Sequence, residues 1–300
     1  MKNLKITTSQ LAKICNVSQG TVDRALNNRS DIRGETKDKI LSVAKQYGYR
    51  ENIENEVVNE YKKIGIIVFN LNNEYFSRLI TEMEYILRTI GYSATVMMSH
   101  YDKEYEIECI RNLYNMGVDG IILCSVNDGP EFKNYLGLFD IPIVAVGNPL
   151  SSAPFVGVDY YRAMRDMTEH VLKKGYRNII YFSPALKYDS AFSQKKLYEG
   201  FLDSIKNNPY TLVTDIDDIK TSYLDNTAII CSTDYYALKV YFKTKNAYIT
   251  GFDNIDILDD YKIKIDSVAY SMTEIAKIAI DILLGVKREN TIVKHFIVSR

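Results

Sequence analysis

The chain has 300 residues, of which 46% are hydrophobic and 25% are charged, so it can form one or two sizeable cores. It contains no run of about 18 apolar residues and no apolar segment close to Met1, so we expect a cytoplasmic protein rather than an exported or membrane protein. The net charge of −1 is uneven, because residues 1–50 hold ten Lys and Arg against four Asp and Glu, and the remainder holds 27 against 34. A basic head indicates contact with a polyanion, although an unevenly charged surface would give the same numbers.

The sequence contains none of the common catalytic or metal-binding motifs. It has no Gly-rich phosphate loop, no G-x-S-x-G and no H-E-x-x-H, and its three histidines (His100, His170 and His295) lie far apart. The four cysteines include no C-x-x-C pair, and three of them lie in apolar runs, so we expect buried thiols. We therefore predict that the protein is not an enzyme and that it has neither a cofactor nor a metal site.

The first 50 residues predict three short helices. Thr7 and Gln10 have the spacing of a capping box, Asn16 suits a left-handed turn, and Ser18 can cap the second helix. The third helix is expected from Glu35 to Tyr47. Each helix has one apolar face, formed by Leu11, Ile14 and Cys15 in the first, by Val22, Ala25 and Leu26 in the second, and by Ile40, Val43, Ala44 and Tyr47 in the third.

The second helix has a polar face opposite its apolar face. At 100° per residue, Gly20, Arg24 and Asn27 lie on that polar face, with Gln19 and Asp23 beside them. An Arg can form a two-bond fork with guanine and an Asn can do the same with adenine, so this face suits a major groove. An interaction module without DNA binding would show the same helices. The residues expected at DNA are Thr7, Ser18 and Thr21, which can bond phosphates, and Gln19, Gly20, Arg24 and Asn27 in the groove.

Residues 51–63 are polar and acidic without a periodic apolar face, which predicts a linker. From Ile64 onward, apolar strands alternate twice with amphipathic helices, so residues 64–300 predict two doubly wound lobes with parallel sheets. Strands are expected at 64–69, 93–98, 120–125, 141–147, 178–183, 211–215, 228–232 and 247–253. Two helices are each expected to bury one apolar face. The face of the first is formed by Phe76, Leu79, Ile80, Met83, Leu87 and Ile90, and that of the second by Leu197, Phe201, Leu202 and Ile205. A last helix, from Met272 to Leu284, and two short strands can return to the first lobe, which spacing leaves open.

Residues 6–50 resemble, over their whole length, the DNA-binding head of the lactose/galactose-repressor (LacI/GalR) family. The matching elements are Leu11-Ala12, Val17-Ser18, Thr21-Val22, Arg24-Ala25-Leu26-Asn27, Glu35-Thr36 and Gly48-Tyr49. In that family the two residues after the capping Ser, and the Arg of the same helix, reach base edges. The resemblance implies this role for Gln19, Gly20 and Arg24. Asp23 stands where the family usually has Ser, and its carboxylate would repel phosphate unless it accepts from a cytosine amine.

The resemblance also implies a homodimer on a near-palindromic operator, with a hinge helix that inserts a Leu into the minor groove. The linker departs from this pattern, because it contains four carboxylates and offers only Val57-Val58 as a wedge. The carboxylates are those of Glu51, Glu54, Glu56 and Glu60. Carboxylates are unfavourable in the negative potential of a minor groove, so we expect this linker to be a poor wedge.

Residues 64–300 resemble the effector domain of the same family, which is similar to periplasmic sugar-binding proteins. The predicted fold is therefore a three-helix helix-turn-helix domain, residues 1–50, followed by a two-lobed periplasmic-binding-protein-like α/β domain. In such folds ligands lie between the lobes, at the carboxyl ends of strands. The residues expected at the ligand are Asn73, Tyr75, Phe76, Asp159, Lys195, Thr233 and Asp253. The two Asp can alternatively cap helices or turns, and the two aromatic residues can be core.

One departure from the family bears on the ligand. Members that bind sugars commonly have an Arg four residues before Phe201, where this chain has Leu197, and the point charge of Lys195 does not replace a planar fork. Carboxylates suit hydroxyl donors and repel phosphate, so we expect a small neutral carbohydrate, with a purine-like ligand second. The chain is thus predicted to be a ligand-responsive, DNA-binding transcription regulator that acts as a repressor. The alternative is a small-molecule-binding protein of the same fold with weak or no specific DNA binding.

Overall fold

The structure is a computed structural model that describes residues 7–27, 29, 32–46, 62–187, 192–220, 224–244 and 246–300. The chain divides into two compact units, Met1–Glu60 and Tyr61–Arg300. The predicted hinge, including its four carboxylates and Val57-Val58, lies outside the described residues. A strand begins at Lys62, so the last two residues of the predicted linker belong to a sheet instead. In the described part of the chain, no helix has both the length and the apolar character to span a membrane.

The described part of the N-terminal unit contains three helices, α1 (Thr8–Cys15), α2 (Gln19–Leu26) and α3 (Gly34–Gln46). The predicted capping box is confirmed, because the Thr7 side chain accepts from the Gln10 backbone and the Gln10 side chain accepts from the Thr7 backbone. Asn16 has the expected left-handed conformation (φ 56°), and the Ser18 side chain caps α2 through the Thr21 backbone N–H. These caps set the turn between α1 and α2.

A small apolar core holds the three helices together, formed by Leu11, Ala12, Cys15, Val22, Ala25, Ile40 and Ala44. Leu26 and Val43 are only partly buried against this core. Ile14, predicted to lie on the buried face of α1, is 45% exposed, because the core is small and α1 is covered on one side only. Tyr47 and the end of α3 beyond Gln46 lie outside the described residues.

The second unit contains two six-stranded sheets. The strands are β1 (Lys62–Val68), β2 (Tyr92–Met98), β3 (Gly120–Leu123), β4 (Ile143–Val146), β5 (Phe155–Val158), β6 (Asn178–Phe182), β7 (Tyr210–Val213), β8 (Thr227–Cys231), β9 (Tyr248–Phe252), β10 (Asp266–Tyr270), β11 (Thr291–Val293) and β12 (His295–Val298). The first sheet has the order β11-β5-β4-β3-β1-β2 and the second has the order β12-β10-β9-β8-β6-β7. All pairings are parallel except that of β12 with β10.

Eight further helices flank the sheets, as expected where strands are joined by crossovers. They are α4 (Glu74–Thr89), α5 (Lys103–Asn115), α6 (Gly129–Leu136), α7 (Tyr160–Lys173), α8 (Phe192–Ile205), α9 (Asp234–Lys243), α10 (Ile257–Asp260) and α11 (Met272–Leu283), all within the described ranges. Most strands had been predicted, but β5 and β10 had not, because their four and five residues lack a clear periodic signal. The two lobes predicted from the sequence are present.

The chain crosses between the lobes three times, after β5, after β10 and between β11 and β12. Helix α11 packs on α4, β3 and β4 of the first lobe, and β11 pairs with β5 there. Strand β12 instead pairs with β10 of the second lobe. The sequence left open whether the last helix and the two short strands return to the first lobe. Helix α11 and β11 do return there, whereas β12 belongs to the second lobe. These three crossovers connect the two lobes.

Two residues predicted to lie on buried helix faces are exposed. Ile90, which is 46% exposed, follows the last residue of α4 and lies beyond the stretch that the sheet covers. Leu202, which is 39% exposed, lies about 100° around α8 from its buried neighbour Phe201. All four cysteines are free and buried, as predicted.

A buried carboxylate anchors the end of the second lobe. Asp266 is 1% exposed and accepts from Tyr248, from the Arg300 backbone N–H at 2.9 Å and from Lys174 at 3.1 Å. Its Oδ2 also lies 2.8 Å from Nε2 of His170, which gives that histidine a structural role. Burial by itself raises the pKa of Asp266, but these hydrogen bonds outweigh it and lower the pKa to about 2.

Acid is therefore expected to remove stability that Asp266 contributes. A carboxyl whose folded pKa is about 2 and whose ordinary value is 3.8 stabilises the fold fully above pH 4, and this contribution is lost between about pH 4 and pH 2. The free energy of unfolding of the wild type should fall by about 1 kcal/mol more than that of Asp266→Asn between roughly pH 5 and pH 3. Urea unfolding at both pH values checks this. Equal losses in the two proteins would contradict it.

Candidate functional site

A cavity of about 600 Å³ lies between the two lobes, where the carboxyl ends of their strands meet. The first lobe contributes Phe69, Asn70, Asn72, Asn73, Tyr75, Phe76, His100, Tyr101, Cys124, Val126, Val146, Gly147 and Asn148. The second lobe contributes Tyr160, Ala185, Ser193, Gln194, Leu197, Ser232, Thr233, Tyr235, Tyr236, Phe252, Asp253 and Tyr270. The size suits a ligand of one or two sugar rings.

Five of the seven residues predicted at the ligand line this cavity: Asn73, Tyr75, Phe76, Thr233 and Asp253. Asn73 and Thr233 also cap the helices that they precede, because their side chains accept from the backbone N–H groups of Tyr75 and Tyr236. Each cap fixes its side chain at the start of a helix that points into the cleft. The geometry thus brings these residues together, and their contact with a ligand stays a proposal.

The other two predicted residues lie elsewhere. Asp159 caps α7, with its Oδ1 accepting from the Arg162 backbone N–H at 3.0 Å, so the alternative of a helix cap describes its position. Lys195 is exposed on α8, whereas Gln194 and Leu197 of the same helix line the cavity. A helix turns about 100° per residue, which carries position 195 away from the face shared by 194 and 197.

Asp253 lies at the junction of the lobes, directly after β9. It is partly buried and has a left-handed backbone (φ 104°), a conformation that is strained for a residue with a Cβ. Its Oδ1 accepts from the Tyr270 hydroxyl at 2.6 Å. Burial raises the pKa of Asp253 to about 7, although the bond from Tyr270 and the charge of Arg78 act in the opposite direction. Near neutral pH the carboxyl can therefore be present in either protonation state.

A second buried carboxylate holds the loop that carries Asp253. Asp234 accepts from the Ser267 hydroxyl at 2.8 Å and from the Ile255 backbone N–H at 3.0 Å, and Ser267 in turn accepts from the Asn254 backbone N–H at 3.1 Å. A Cβ on Gly251 would lie 1.9 Å from Oδ1 of Asp234, so only glycine leaves room for this arrangement. The loop is thus fixed from behind by groups that do not line the cavity.

The same loop contacts the first lobe. Arg78 on α4 donates to the Asn254 carbonyl at 2.9 Å and lies 3.5 Å from the Asp256 carboxylate. Glu74, also on α4, accepts from the Asp256 backbone N–H at 2.6 Å. Helix α4 carries Tyr75 at the cavity as well. A ligand bound at Asp253 would therefore touch a loop that connects the lobes.

Aromatic rings form much of the cavity wall. Tyr75 packs edge-on against Phe76 at 4.9 Å between ring centroids, and its ring lies 6.5 Å from that of Tyr270. Phe252 lies 5.9 Å from both Tyr160 and Tyr270. Four of these rings, those of Tyr75, Tyr160, Phe252 and Tyr270, line the cavity together with Asp253, and we call them the aromatic ring set.

The DNA-binding residues predicted from the sequence lie on or beside one face of the N-terminal unit. Gln19, Gly20 and Asn27 are exposed, and Arg24 lies along α2 with Nε donating to the Gly20 carbonyl at 3.1 Å. Asn27 donates to the Asp23 carboxylate at 3.1 Å, so the acidic residue that departs from the family pattern is paired within α2. Among the described residues, a Cβ on Gly20 would meet nothing closer than 3.7 Å, so none of these neighbours requires glycine there.

Two protein families match this chain. Residues 8–52 match the bacterial regulatory proteins of the lacI family, and residues 61–247 match the periplasmic binding proteins and sugar binding domain of the LacI family. The chain belongs to the LacI family of bacterial regulatory proteins. The family consists of DNA-binding transcription regulators rather than enzymes. The predicted family, the two-part fold and the function of a ligand-responsive DNA-binding regulator are therefore confirmed.

Similar LacI-family proteins span nearly the whole chain. Catabolite control protein A of Priestia megaterium is 25% identical over 314 aligned positions, covering 96% of this chain and 95% of that protein. A LacI transcriptional regulator of Alkaliphilus metalliredigens, solved with D-xylulofuranose, has a TM-score of 0.68 at 24% identity and covers 80% of this chain and 98% of its own. The lac repressor dimer bound to operator and the anti-inducer ONPF has a TM-score of 0.71 at 17% identity, with 98% of both chains covered.

Several cavity residues of this LacI-family chain were not predicted. Tyr160 directly follows Asp159 at the end of β5, and Tyr270 ends β10, so both occupy the strand-end positions where ligand residues are expected. Tyr270 was missed because β10 had not been predicted, and after β5 Asp159 was predicted at the ligand rather than its neighbour Tyr160. Gln194 precedes Leu197 by three residues and shares its helix face, a spacing that could have identified it.

Proposed function

We propose that this protein is a cytoplasmic repressor that binds an operator as a homodimer and is controlled by a small polyhydroxylated molecule in the cleft. The proposal rests mainly on the exposed face of α2, where Gln19 and Gly20 stand with Arg24 beside them. An exposed helical glycine costs about 1 kcal/mol of helix stability relative to alanine. Because no described residue of the head requires a glycine at this position, Gly20 is best explained by the close approach of an external surface such as the floor of a major groove.

The homodimer follows from the small size of the head. A single three-helix unit has too little contact area for useful operator specificity, and two heads on one operator supply it. The dimeric lac repressor, which has the same fold, was solved on operator DNA. We therefore expect a near-palindromic operator whose half-sites are each read by one α2.

The effector side is supported by the composition of the cleft. Asn73, Asn148, Gln194 and Thr233 supply amides and a hydroxyl, and the aromatic ring set supplies flat apolar surfaces. This mixture suits a carbohydrate, and D-xylulofuranose is the molecule bound in the Alkaliphilus metalliredigens relative. Binding would act on the loop after Asp253, whose contacts with α4 connect the lobes, and such coupling is typically about 1–3 kcal/mol.

The function is tested by comparing two glycine substitutions in the head. Gly20→Ala should stabilise the folded protein slightly and weaken operator binding about tenfold or more, because its methyl group occupies the space of a base edge. Gly34→Ala, at the first residue of α3, also meets open space but lies outside α2, so it should leave operator affinity unchanged. Fluorescence anisotropy on fragments selected from genomic DNA measures both variants, and thermal unfolding reports their stability.

The alternative, a binding protein with weak or no specific DNA recognition, is favoured by the exposed carboxylate of Asp23 on α2. The same experiment decides between the two functions. If no fragment is selected above bulk DNA, or if Gly20→Ala binds selected DNA as tightly as the wild type, the proposed recognition through α2 is wrong.

A further inference from the structure

Asp253 is a partly buried carboxylate that lines the cavity, and the cavity supplies no cation for it. Among the described residues, the cavity lining contains neither Lys nor Arg. Residues 188–191, outside the described ranges, are Tyr, Asp, Ser and Ala and add none. Arg78 is the cation whose charge acts on Asp253, but it forms its contacts with Asn254 and Asp256. An ionised carboxylate in such a site is costly unless a positive charge joins it.

The position of α8 at which the family resemblance implies an Arg carries an aliphatic side chain instead. Leu197, which stands where sugar-binding members of the family commonly have Arg, is 1% exposed and lines the cavity. Lys195 lies on a different face of the same helix. The hydroxyl of Tyr270 gives Asp253 one hydrogen bond, which satisfies one oxygen and adds no positive charge.

The walls around this carboxylate also favour a cation. The aromatic ring set consists of three tyrosines and one phenylalanine. Three pairs of these rings are in contact, with 5.9 to 6.5 Å between their centroids. Aromatic faces carry negative potential and attract ammonium groups, most strongly where water is excluded. A carboxylate that shares a cavity with such rings can pair with an organic ammonium group while the ring faces contact the same cation.

We propose that the effector carries a protonated amino group that pairs with Asp253 inside the aromatic ring set, and that hydroxyl groups on the same molecule contact the amides of the cleft. The effector class is thus an amino sugar or amino polyol rather than a neutral or phosphorylated sugar. This inference rests on the proposed function, since it names the ligand of the same cleft. The cavity of about 600 Å³ accommodates such a molecule with room for a second ring.

Release of a proton from Asp253 on binding would distinguish an amine from a neutral sugar. Further titratable and charged groups line the same cavity or act on Asp253: Tyr75 and Arg78 on α4, His100 after β2, Cys124 after β3, Tyr160 on α7, Asp234 on α9 and Tyr270 at the end of β10. Burial raises the pKa of Cys124 to about 12 and that of Tyr75 well above its ordinary value, so both stay neutral at pH 6–8. An ammonium ion stabilises the ionised form of Asp253, so its binding should release a proton and weaken as the pH falls through about 7.

The test uses pairs of probes that differ only in the amine. Isothermal titration calorimetry on the full-length protein compares glucosamine with glucose, galactosamine with galactose, and 1-amino-1-deoxysorbitol with sorbitol. We expect at least one amine to bind about tenfold or more tightly than its neutral partner. Alkylamines stay protonated over pH 6–8, so the sorbitol pair also gives the pH profile. Titration in two buffers of different ionisation enthalpy measures the proton release.

Three variants separate the charge from the shape of the site. Asp253→Asn keeps the shape and should abolish the amine preference and the proton release. Leu197→Arg supplies the absent cation and should reverse the preference towards the neutral sugar. Lys195→Gln should keep both effects, since that side chain is exposed on α8 and lies outside the cavity lining. If Leu197→Arg does not fold, the buffer comparison on the wild type still decides the question.

The possible failures can be told apart. If no amine binds more tightly than its neutral partner, the amine proposal is overturned, and a neutral sugar that changes operator affinity would leave the proposed function intact. If adenosine or guanosine binds more tightly than every amine, the purine-like alternative replaces it. Failure of the operator experiment with Gly20→Ala would overturn the proposed DNA recognition whatever the probes show.

Discussion

Gly200→Ala is expected to destabilise the second unit by about 3 kcal/mol and to lower its melting temperature by roughly 5–10 °C. Gly200 lies where α8 packs on α7, and a Cβ there would lie 2.0 Å from the carbonyl oxygen of Tyr161. The obstructing atom is backbone, which cannot rotate away, so the two helices would have to separate. The gain in helix propensity from alanine, about 1 kcal/mol, offsets only part of this cost.

Gly137→Ala provides the matched control in the same unit. Gly137 follows α6 with a right-handed backbone (φ −67°), and a Cβ there would lie 3.4 Å from the Asn134 carbonyl, an ordinary contact. Its melting temperature should stay within about 2 °C of the wild type. Differential scanning calorimetry compares the variants. Similar melting temperatures for Gly200→Ala and Gly137→Ala would show that α7 and α8 are less closely packed than the structure indicates.

Arg24→Ala is expected to weaken operator binding by about 1–3 kcal/mol, roughly 5- to 150-fold, and to relax base preference at one position of each half-site. Arg24 lies on α2 beside the exposed Gln19 and Gly20, and its guanidinium can form a bidentate fork with a guanine. Its Nε donates to the Gly20 carbonyl, a hydrogen bond that the guanidinium can exchange for base contacts. Anisotropy on a set of operators with single base changes measures affinity and preference together.

Arg33→Ala separates base reading from general charge. Arg33 is exposed just before α3, and its removal takes away the same charge outside α2. That variant should weaken binding to operator and bulk DNA alike and reduce the salt dependence, whereas Arg24→Ala should lose affinity mainly on operator. An equal loss on both DNAs for Arg24→Ala would assign it to the phosphate backbone instead.

The sequence predicted the local features of the head because each depends on neighbouring residues. The capping box of Thr7 and Gln10 and the left-handed Asn16 follow from side chains three or four positions apart. The burial of Ile14 was predicted wrongly, because helical periodicity shows which face is apolar but not how far a small core extends. The role of Arg24 follows from its position on α2 and from the family resemblance, and operator binding by the variant will decide it.

The sequence also predicted the two-lobed body, because buried parallel strands appear in a sequence as continuous apolar runs between amphipathic helices. Tertiary structure decided what distant segments do together. Asp159 and Asp253 both follow strands, yet the first caps α7 and the second lies in the cleft beside Tyr270, which belongs to a strand that periodicity did not reveal. The charge balance of the cleft likewise required the fold, because the distance of a cation from Asp253 depends on which faces of α4 and α8 meet the cavity. Helix caps and turns depend on residues a few positions apart, whereas the electrostatics of a site depend on packing between residues far apart in the chain.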